Sequence, residues 1–201
     1  MIKQLYLVRH GEAEHMVLGL TGGWTDTSLT LKGREDAKKT AEKIAGLLET
    51  NITGFYSSDL KRAAETAQII GERIGKNPVF KPELRERNNG TAKGLTLKEA
   101  GAIRNPETSS FIDYIVYPGG ESYYTMYLRL KKFLEELNQG DEENILIVSH
   151  SNAITAMIDW WLEFDREAMA RVSYHISECS LTQLGINKRG QKIIIQLNHQ
   201  P

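Results

Sequence analysis

Two apolar runs, at residues 5–8 and 145–148, each stop just before a histidine, and this repeated pattern constrains the fold most strongly. Continuous runs of strand-forming apolar residues are typical of strands that a parallel sheet buries on both faces. Open α/β sheets bind their ligands at the carboxyl ends of such strands. If both strands are central and parallel, His10 and His150 meet at one edge of the sheet.

Helical patterns separate the predicted strands. Helices are predicted after an N-cap at Thr30, after Ser58 or Asp59, from Ser122 onward and after His150. Further strands are predicted at 54–57 and 78–81, with a hairpin over 180–197, while residues 12–29 lack a regular period and are predicted to form a long ordered loop. This alternation favours a three-layer α/β/α sandwich with a mostly parallel central sheet.

Length and charge limit the classes of function. The 201 residues can bury one substantial core and include no linker-like segment, which predicts a single domain over residues 1–201. A net charge of −1 argues against a nucleic-acid partner, because such proteins usually carry a basic surplus. The lone Cys179 fits a reducing compartment, and no apolar run is long enough for a signal-peptide core or a membrane span. We therefore expect a cytoplasmic protein with no membrane partner.

Positive charge is concentrated at the predicted sheet edge. Arg9 precedes His10, and Arg62 is predicted in the first turns of the helix that follows the second strand. Two arginines and two histidines in one pocket repel each other unless an anion is present. Such a pocket suits phosphate binding, with one imidazole placed to attack phosphorus.

The chain resembles the histidine phosphatase superfamily, in its phosphoglycerate mutase-like branch. The matching motifs run in the family's order from about residue 5 to about residue 155, which makes the signal much stronger than any single tripeptide. They are Leu7-Val8-Arg9-His10-Gly11-Glu12, Gly23-Trp24-Thr25-Asp26, Ser57-Ser58-Asp59-Leu60 with Arg62-Ala63, Leu84-Arg85-Glu86, Gly120-Glu121-Ser122 and Val148-Ser149-His150.

The resemblance implies a role for each residue of the pocket. His10 would be the nucleophile that takes the phosphoryl group, while Arg9, Arg62 and His150 would surround the phosphoryl oxygens. Glu86 would protonate the leaving oxygen and then, as a carboxylate, deprotonate the hydrolytic water. The implied activity is that of a histidine acid-type phosphatase on a small phosphorylated metabolite, without metal or organic cofactor.

The chain also departs from the resemblance near the phosphate. Many relatives carry Ser or Thr at the position of Ala13 and Asn at that of Met16, and their usual Gly after the second histidine is Ser151 here. The lost donors could be replaced by His15, Thr21, the backbone of Gly22 and Gly23, or the Ser151 hydroxyl with the amides of 151 and 152. These changes bear on substrate identity more than on the reaction.

Three alternatives to a phosphatase follow from the same residues. Phosphoglycerate mutases carry adjacent arginines that grip a substrate carboxylate, whereas this chain has only Arg87, Arg104 and Arg129 between Glu86 and His150. A non-catalytic phosphate-binding module would keep the fold without turnover. A metal site is disfavoured, because His10 and His15 miss the i, i+4 spacing of a zinc-binding helix.

Two points stay open at the level of sequence. Glu121 either orients a pocket arginine or caps the helix that follows it. The oligomeric state is also open, a homodimer included.

Overall fold

A computed structural model describes residues 1–47, 51–108 and 110–200. Its strands form one sheet in the order β3-β2-β4-β1-β5-β6, in which β1 to β4 are parallel and β5 runs antiparallel to both of its neighbours. The strands are β1 (Gln4–Arg9), β2 (Gly54–Ser57), β3 (Val79–Phe80), β4 (Asn144–Ser149), β5 (Leu181–Ile186) and β6 (Lys192–His199).

Helices cover both faces of this sheet. They are α1 (Glu14–Val17), α2 (Leu31–Leu47), α3 (Lys61–Ile74), α4 (Leu97–Ala102), α5 (Tyr123–Gln139), α6 (Ser151–Trp161) and α7 (Arg166–Arg171), with short 3-10 turns at Pro82–Leu84 and Gly90–Ala92. The predicted fold class, the mostly parallel sheet and the terminal hairpin are confirmed.

Alternate residues of the central strands supply the two layers of core. Leu5 and Leu7 of β1 pack with Ile145 and Ile147 of β4 against α5 and α6. The residues between them point to the opposite face, where they pack against α2 and α3; these are Tyr6, Val8, Leu146 and Val148. Because both sides of β1 and β4 are covered, their sequences are apolar throughout.

Of three predicted N-cap positions, those of α2 and α5 are confirmed and that of α3 is wrong. Thr30 accepts the Gly33 N–H at 3.0 Å, and Ser122 accepts the Thr125 N–H at 3.1 Å. Neither Ser58 nor Asp59 caps α3, whose first N–H, at Lys61, donates to Asp26 Oδ1 at 2.8 Å. A cap from so distant a residue cannot be read from local sequence.

The predicted loop over residues 12–29 contains a helix that sequence periodicity did not indicate. Its single turn, α1, follows Ala13, which pairs with Leu29 in an isolated antiparallel bridge. Four helical residues are too few to generate an apolar period, so the pattern could not reveal them.

A buried carboxyl group lies in the core beneath α5. Asp159 is fully buried on α6, where its Oδ2 accepts the Tyr123 hydroxyl at 2.6 Å and its Oδ1 has no hydrogen-bond partner within the described ranges. Burial raises the pKa of Asp159 to about 6, although the hydrogen bond from Tyr123 acts in the opposite direction.

This pKa predicts a component of stability that falls as pH rises. A raised carboxyl pKa favours the fold fully below pH ~4, and the contribution is lost as pH rises through about 6, at a cost of about 3 kcal/mol. Asp159→Asn should remove that decline, so its unfolding free energy relative to the wild type should rise between pH 4 and pH 7. Denaturant titrations across this range test it, with exposed Asp141→Asn as control. A constant difference between Asp159→Asn and the wild type would contradict the prediction.

Candidate active site

The register of β1 and β4 brings the two histidines together. Arg9 pairs with Ser149 at the carboxyl end of both strands, and the His10 N–H donates to the Ser149 carbonyl at 3.0 Å. The rings of His10 and His150 follow directly, with centroids 5.0 Å apart in an edge-to-face arrangement. The predicted meeting of both histidines at one sheet edge is confirmed.

Hydrogen bonds fix the tautomer of His10. Its Nδ1 lies 2.7 Å from the Gly11 carbonyl, which can only accept, so Nδ1 carries the proton. Its Nε2 accepts a hydrogen bond from Arg62 Nε at 3.1 Å. The lone pair of Nε2 therefore faces the arginine side of the site and is the candidate nucleophile.

The site keeps its histidines uncharged. Burial, followed by the charges of Arg62 and Arg9, lowers the pKa of His10 and of His150 well below the usual value. The same causes, in the same order, lower the pKa of His15 to about 4. Neutral imidazoles suit this place, because an imidazolium has no lone pair with which to attack phosphorus.

Arg62 is a buried arginine at the start of α3. Its Nη1 donates to Thr25 O and its Nη2 to Gly23 O, both at 2.7 Å, in addition to the Nε bond to His10. Burial lowers the pKa of Arg62 to about 10, although the carboxylates of Glu86 and Asp26 favour its charged form. The side chain thus joins the nucleophile to the loop over residues 22–25.

Arg9 is held by the segment that precedes β5. Its Nη1 donates to Ile176 O and its Nη2 pairs with Glu178 Oε1, both at 2.6 Å. Its Nε is buried and has no hydrogen-bond partner in the part of the chain that the structure describes. The single hydrogen of Nε is therefore available to a ligand.

His150 has one ring nitrogen in a hydrogen bond and one that is buried without a partner. Its Nε2 lies 2.8 Å from Ser58 Oγ, while its buried Nδ1 has no partner among residues 1–47, 51–108 and 110–200. Ser58 Oγ also accepts the Leu60 N–H at 3.3 Å, so its own proton is free for His150 Nε2. If Ser58 donates to Nε2, the imidazole proton lies on Nδ1, which can then donate a hydrogen bond to an anion.

Glu86 follows the 3-10 turn at Pro82–Leu84, and its carboxylate lies at the amino end of α6. Its Oε1 accepts the N–H of Arg87 at 2.7 Å and its Oε2 that of Asn152 at 3.1 Å. The Asn152 amide, expected to bind phosphate, thus binds the Glu86 carboxylate in the structure. Ser151 begins α6, and its carbonyl accepts from the Thr155 hydroxyl at 3.1 Å.

The glycine after His10 is needed for packing. A Cβ on Gly11 would stand 2.6 Å from the Gly33 carbonyl, and one on Gly33 would stand 2.1 Å from Glu12 O. The end of β1 and the first turn of α2 therefore approach backbone to backbone. The Gly11 N–H donates to Thr66 on α3 at 3.1 Å, so the segment is anchored on both sides.

The substituted positions differ in their surroundings. Ala13 is fully buried, whereas Met16 is 36% exposed. His15 is buried with its ring centroid 6.3 Å from that of His10, and its Nδ1 lies 2.9 Å from Thr27 Oγ1. Thr21 donates to Ala92 O, so of His15 and Thr21, His15 is the one that the structure brings to the histidine pair.

A cavity of about 170 Å³ opens beside this cluster. The predicted phosphate-binding glycines, Gly22 and Gly23, line it together with Glu86. Its other walls come from the segments after Glu86 and before α5: Thr21, Arg87, Asn88, Asn89, Leu97, Val116, Tyr117, Glu121 and Asn152. The cavity adjoins the histidine pair through Arg62, whose Nη2 donates to the carbonyl of the lining residue Gly23.

Two residues that support the site were not identified as such from sequence. Trp24 Nε1 donates to the Glu86 carbonyl at 2.7 Å, and the Trp24 ring packs under the Arg85 guanidinium at 4.8 Å. Arg129 on α5 donates to the same Glu86 carbonyl at 3.3 Å. The Gly-Trp motif and the arginine on the predicted helix were visible, but their contacts depend on tertiary packing.

Two neutral histidines and two arginines thus share one pocket at the carboxyl ends of β1 and β4, on a three-layer α/β/α sandwich of the phosphoglycerate mutase-like kind. The profile of the histidine phosphatase superfamily (branch 1) matches residues 5–198, and the chain belongs to this superfamily. Within the described ranges no helix is both long and apolar enough to cross a membrane. The same residues include no cluster of three or more His, Cys, Asp or Glu side chains that could hold a metal ion.

Relatives of this chain include mutase-like and phosphatase proteins. Phosphoglycerate mutase-like protein 4 of Arabidopsis thaliana is 36% identical over 163 residues, covering 78% of this chain and 70% of the relative. A metal-independent phosphoserine phosphatase of the same plant is 32% identical over 163 residues, covering 78% and 67%. The structure of mycobacterial glucosyl-3-phosphoglycerate phosphatase with VO3 superposes with a TM-score of 0.83 at 25% identity, covering 98% and 99%.

Proposed function

We propose that the chain is a phosphomonoester hydrolase of the histidine acid type, acting on a small phosphorylated metabolite through a phosphohistidine at His10. One observation carries the proposal. Two buried nitrogens, Arg9 Nε and His150 Nδ1, have no partner in the described part of the chain, and both side chains lie beside the candidate nucleophile. Unpaired buried donors are costly, and a phosphoryl group supplies the acceptors that they need.

The first step transfers the phosphoryl group to His10. Its Nε2 lone pair leaves the Arg62 hydrogen bond and forms the N–P bond, while the ester P–O bond breaks on the opposite side. Arg9, Arg62 and His150 stabilise the charge on the phosphoryl oxygens. Glu86 must be protonated in the enzyme–substrate complex for this step; it gives that proton to the departing alkoxide, so the alcohol leaves neutral.

The second step returns the enzyme to its resting state. Glu86, now a carboxylate, takes a proton from water as the water oxygen attacks phosphorus. The N–P bond breaks, its electron pair returns to Nε2, and inorganic phosphate forms. The hydrogen bonds from the Arg87 and Asn152 N–H groups hold the carboxyl group in place and favour its ionised form, which is the form the second step needs.

A screen for phosphate release tests this function. Sugar phosphates, phosphoglycerates, phosphoserine and nucleotides are each incubated with the protein, and inorganic phosphate is measured. We expect release from one class well above the others, together with acid-labile phosphate on the protein after rapid quenching. Release without any acid-labile phosphoenzyme would contradict the phosphohistidine route.

One observation favours a second candidate, isomerisation of phosphoglycerate. Arg87 lines the cavity, and within the described ranges its guanidinium has no hydrogen bond or ion pair. A free guanidinium beside the phosphate site suits a substrate carboxylate. Arg104 and Arg129 bind Tyr114 and Glu121 instead, and among the described residues neither of them lines the cavity beside Arg87. Efficient isomerisation with little phosphate release would favour this candidate over hydrolysis.

A further inference from the structure

Arg129 uses its guanidinium on the backbone that carries the proposed acid. Its Nη1 donates to Glu83 O at 2.6 Å and to Arg85 O at 3.2 Å, and its Nη2 donates to Glu86 O at 3.3 Å. The side chain comes from α5, which is distant in sequence. One guanidinium therefore ties the segment over residues 83–86 to α5.

Glu121 holds the guanidinium of Arg129 through both of its carboxylate oxygens. Its Oε1 accepts from Arg129 Nε at 3.0 Å and its Oε2 from Nη2 at 2.8 Å. The same Oε2 accepts the Asn88 N–H at 2.9 Å. The ion pair thus holds backbone groups both before and after Glu86, and its planar fork fixes their relative orientation.

Neither member of the pair is placed to bind substrate. The five N–H groups of Arg129 are all used, by three carbonyls and by the Glu121 carboxylate. Both oxygens of Glu121 are also occupied, although the residue lines the cavity. Ser122 supplies the N-cap of α5, so capping is not the role of Glu121.

The orientation of the Glu86 carboxyl group depends on this backbone. Its Oε1 is bonded to the N–H of the next residue, Arg87, so any rotation of the peptide between them moves the carboxyl group. Trp24 is the other side chain that holds the Glu86 carbonyl. Catalytic proton transfer is sensitive to displacements of about 1 Å, which can reduce a rate by ~100-fold.

We propose that Arg129, fixed by Glu121, is a positioning residue that aims the Glu86 carboxyl group at the leaving oxygen. This inference rests on the proposed hydrolase function and on the acid role of Glu86 within it. It predicts a selective defect. Substrates whose alcohol needs a proton to leave should suffer, while those with a stable leaving anion should not.

The test is a single-turnover comparison of two substrates, with enzyme in excess so that release of the alcohol reports the first step alone. Arg129→Lys keeps the charge and loses the fork, and Glu121→Gln is a milder second variant if Arg129→Lys unfolds. Each is measured with p-nitrophenyl phosphate and with an alkyl phosphate. Arg73→Lys, which alters an exposed pair with Glu42 between α3 and α2, is the matched control.

We expect alkyl ester cleavage to fall ~10- to 100-fold in Arg129→Lys, with p-nitrophenyl phosphate cleavage within ~3-fold of the wild type. Arg73→Lys should match the wild type on both substrates. Equal losses on the two substrates, or no loss on the alkyl ester, would overturn the inference. Glu86→Gln, measured in parallel, separates the causes: if it is selective and Arg129→Lys is not, only the positioning role fails.

Discussion

Replacement of His10 by alanine is expected to abolish turnover while the fold persists. The variant has no nucleophile, so the covalent route is closed, and loss of a nucleophile typically costs ~10⁶-fold in kcat. The measurements are phosphate release and acid-labile phosphate on the protein after rapid quenching. His199→Ala, which removes an exposed imidazole from the outermost strand β6, is the matched control and should retain full labelling.

The fold should survive because the imidazole makes few structural contacts. Its ring nitrogens bond Gly11 O and Arg62 Nε, whereas the strand ladder uses the backbone N–H, which the alanine variant keeps. Arg9 Nε and His150 Nδ1 also remain, so the variant should still bind inorganic phosphate. Calorimetric titration with phosphate would separate lost chemistry from lost binding.

Two outcomes would contradict this account. If His10→Ala still forms acid-labile phosphate, another residue is the nucleophile. If the wild type forms none with any substrate of the screen but binds phosphate, the chain is the non-catalytic binding module that the residues also allow.

The part of the site that sequence predicts is the part built on strands. Leu5–Val8 and Ile145–Val148 are apolar throughout because β1 and β4 are buried on both faces. This pattern can be recognised in the sequence without knowledge of the tertiary structure. Once both strands are central and parallel, the positions of His10 and His150 follow from register. The strand pattern thus locates the two histidines, while their roles came from the resemblance.

The part that sequence does not predict is built on loops. The segment around Glu86 has no period, and its conformation comes from distant side chains, Arg129 on α5 and Trp24 before α2. Likewise, Asp26 replaces Ser58 and Asp59 as the cap of α3 because tertiary packing brings its carboxylate to Lys61. Such contacts leave no local pattern, so sequence identified Glu86 by motif without showing what orients it.

Tertiary contacts also explain why the structure differs from the prediction that the amides of 151 and 152 bind phosphate. A helix N-terminus that follows a site histidine is a reasonable anion site, because its N–H groups are unpaired within the helix. In the structure the anion at α6 is a carboxylate of the protein itself, since Glu86 accepts the Asn152 N–H. The end of α6 thus holds the proposed acid, and under the proposed function Arg9, Arg62 and His150 are left to bind the phosphoryl oxygens.

Glu86→Gln is expected to have the second largest effect, and one that depends on the leaving group. Glutamine cannot release a proton, so single-turnover cleavage of an alkyl phosphate should fall by ~10³-fold, within the usual range for a general acid. A p-nitrophenolate anion leaves without protonation, so its release should fall no more than ~10-fold. The residual loss has a structural cause, because an amide has one oxygen where the carboxylate accepts from both Arg87 and Asn152.

The second step gives the same variant an independent signature. Without a carboxylate to deprotonate water, hydrolysis of the phosphohistidine should slow for every substrate, because the intermediate is the same in each case. With p-nitrophenyl phosphate, a fast burst of p-nitrophenolate should precede a slow steady state, and acid-labile phosphoenzyme should accumulate. Equal losses for the two esters in single turnover, with no accumulation of phosphoenzyme, would show that Glu86 is neither the acid nor the base.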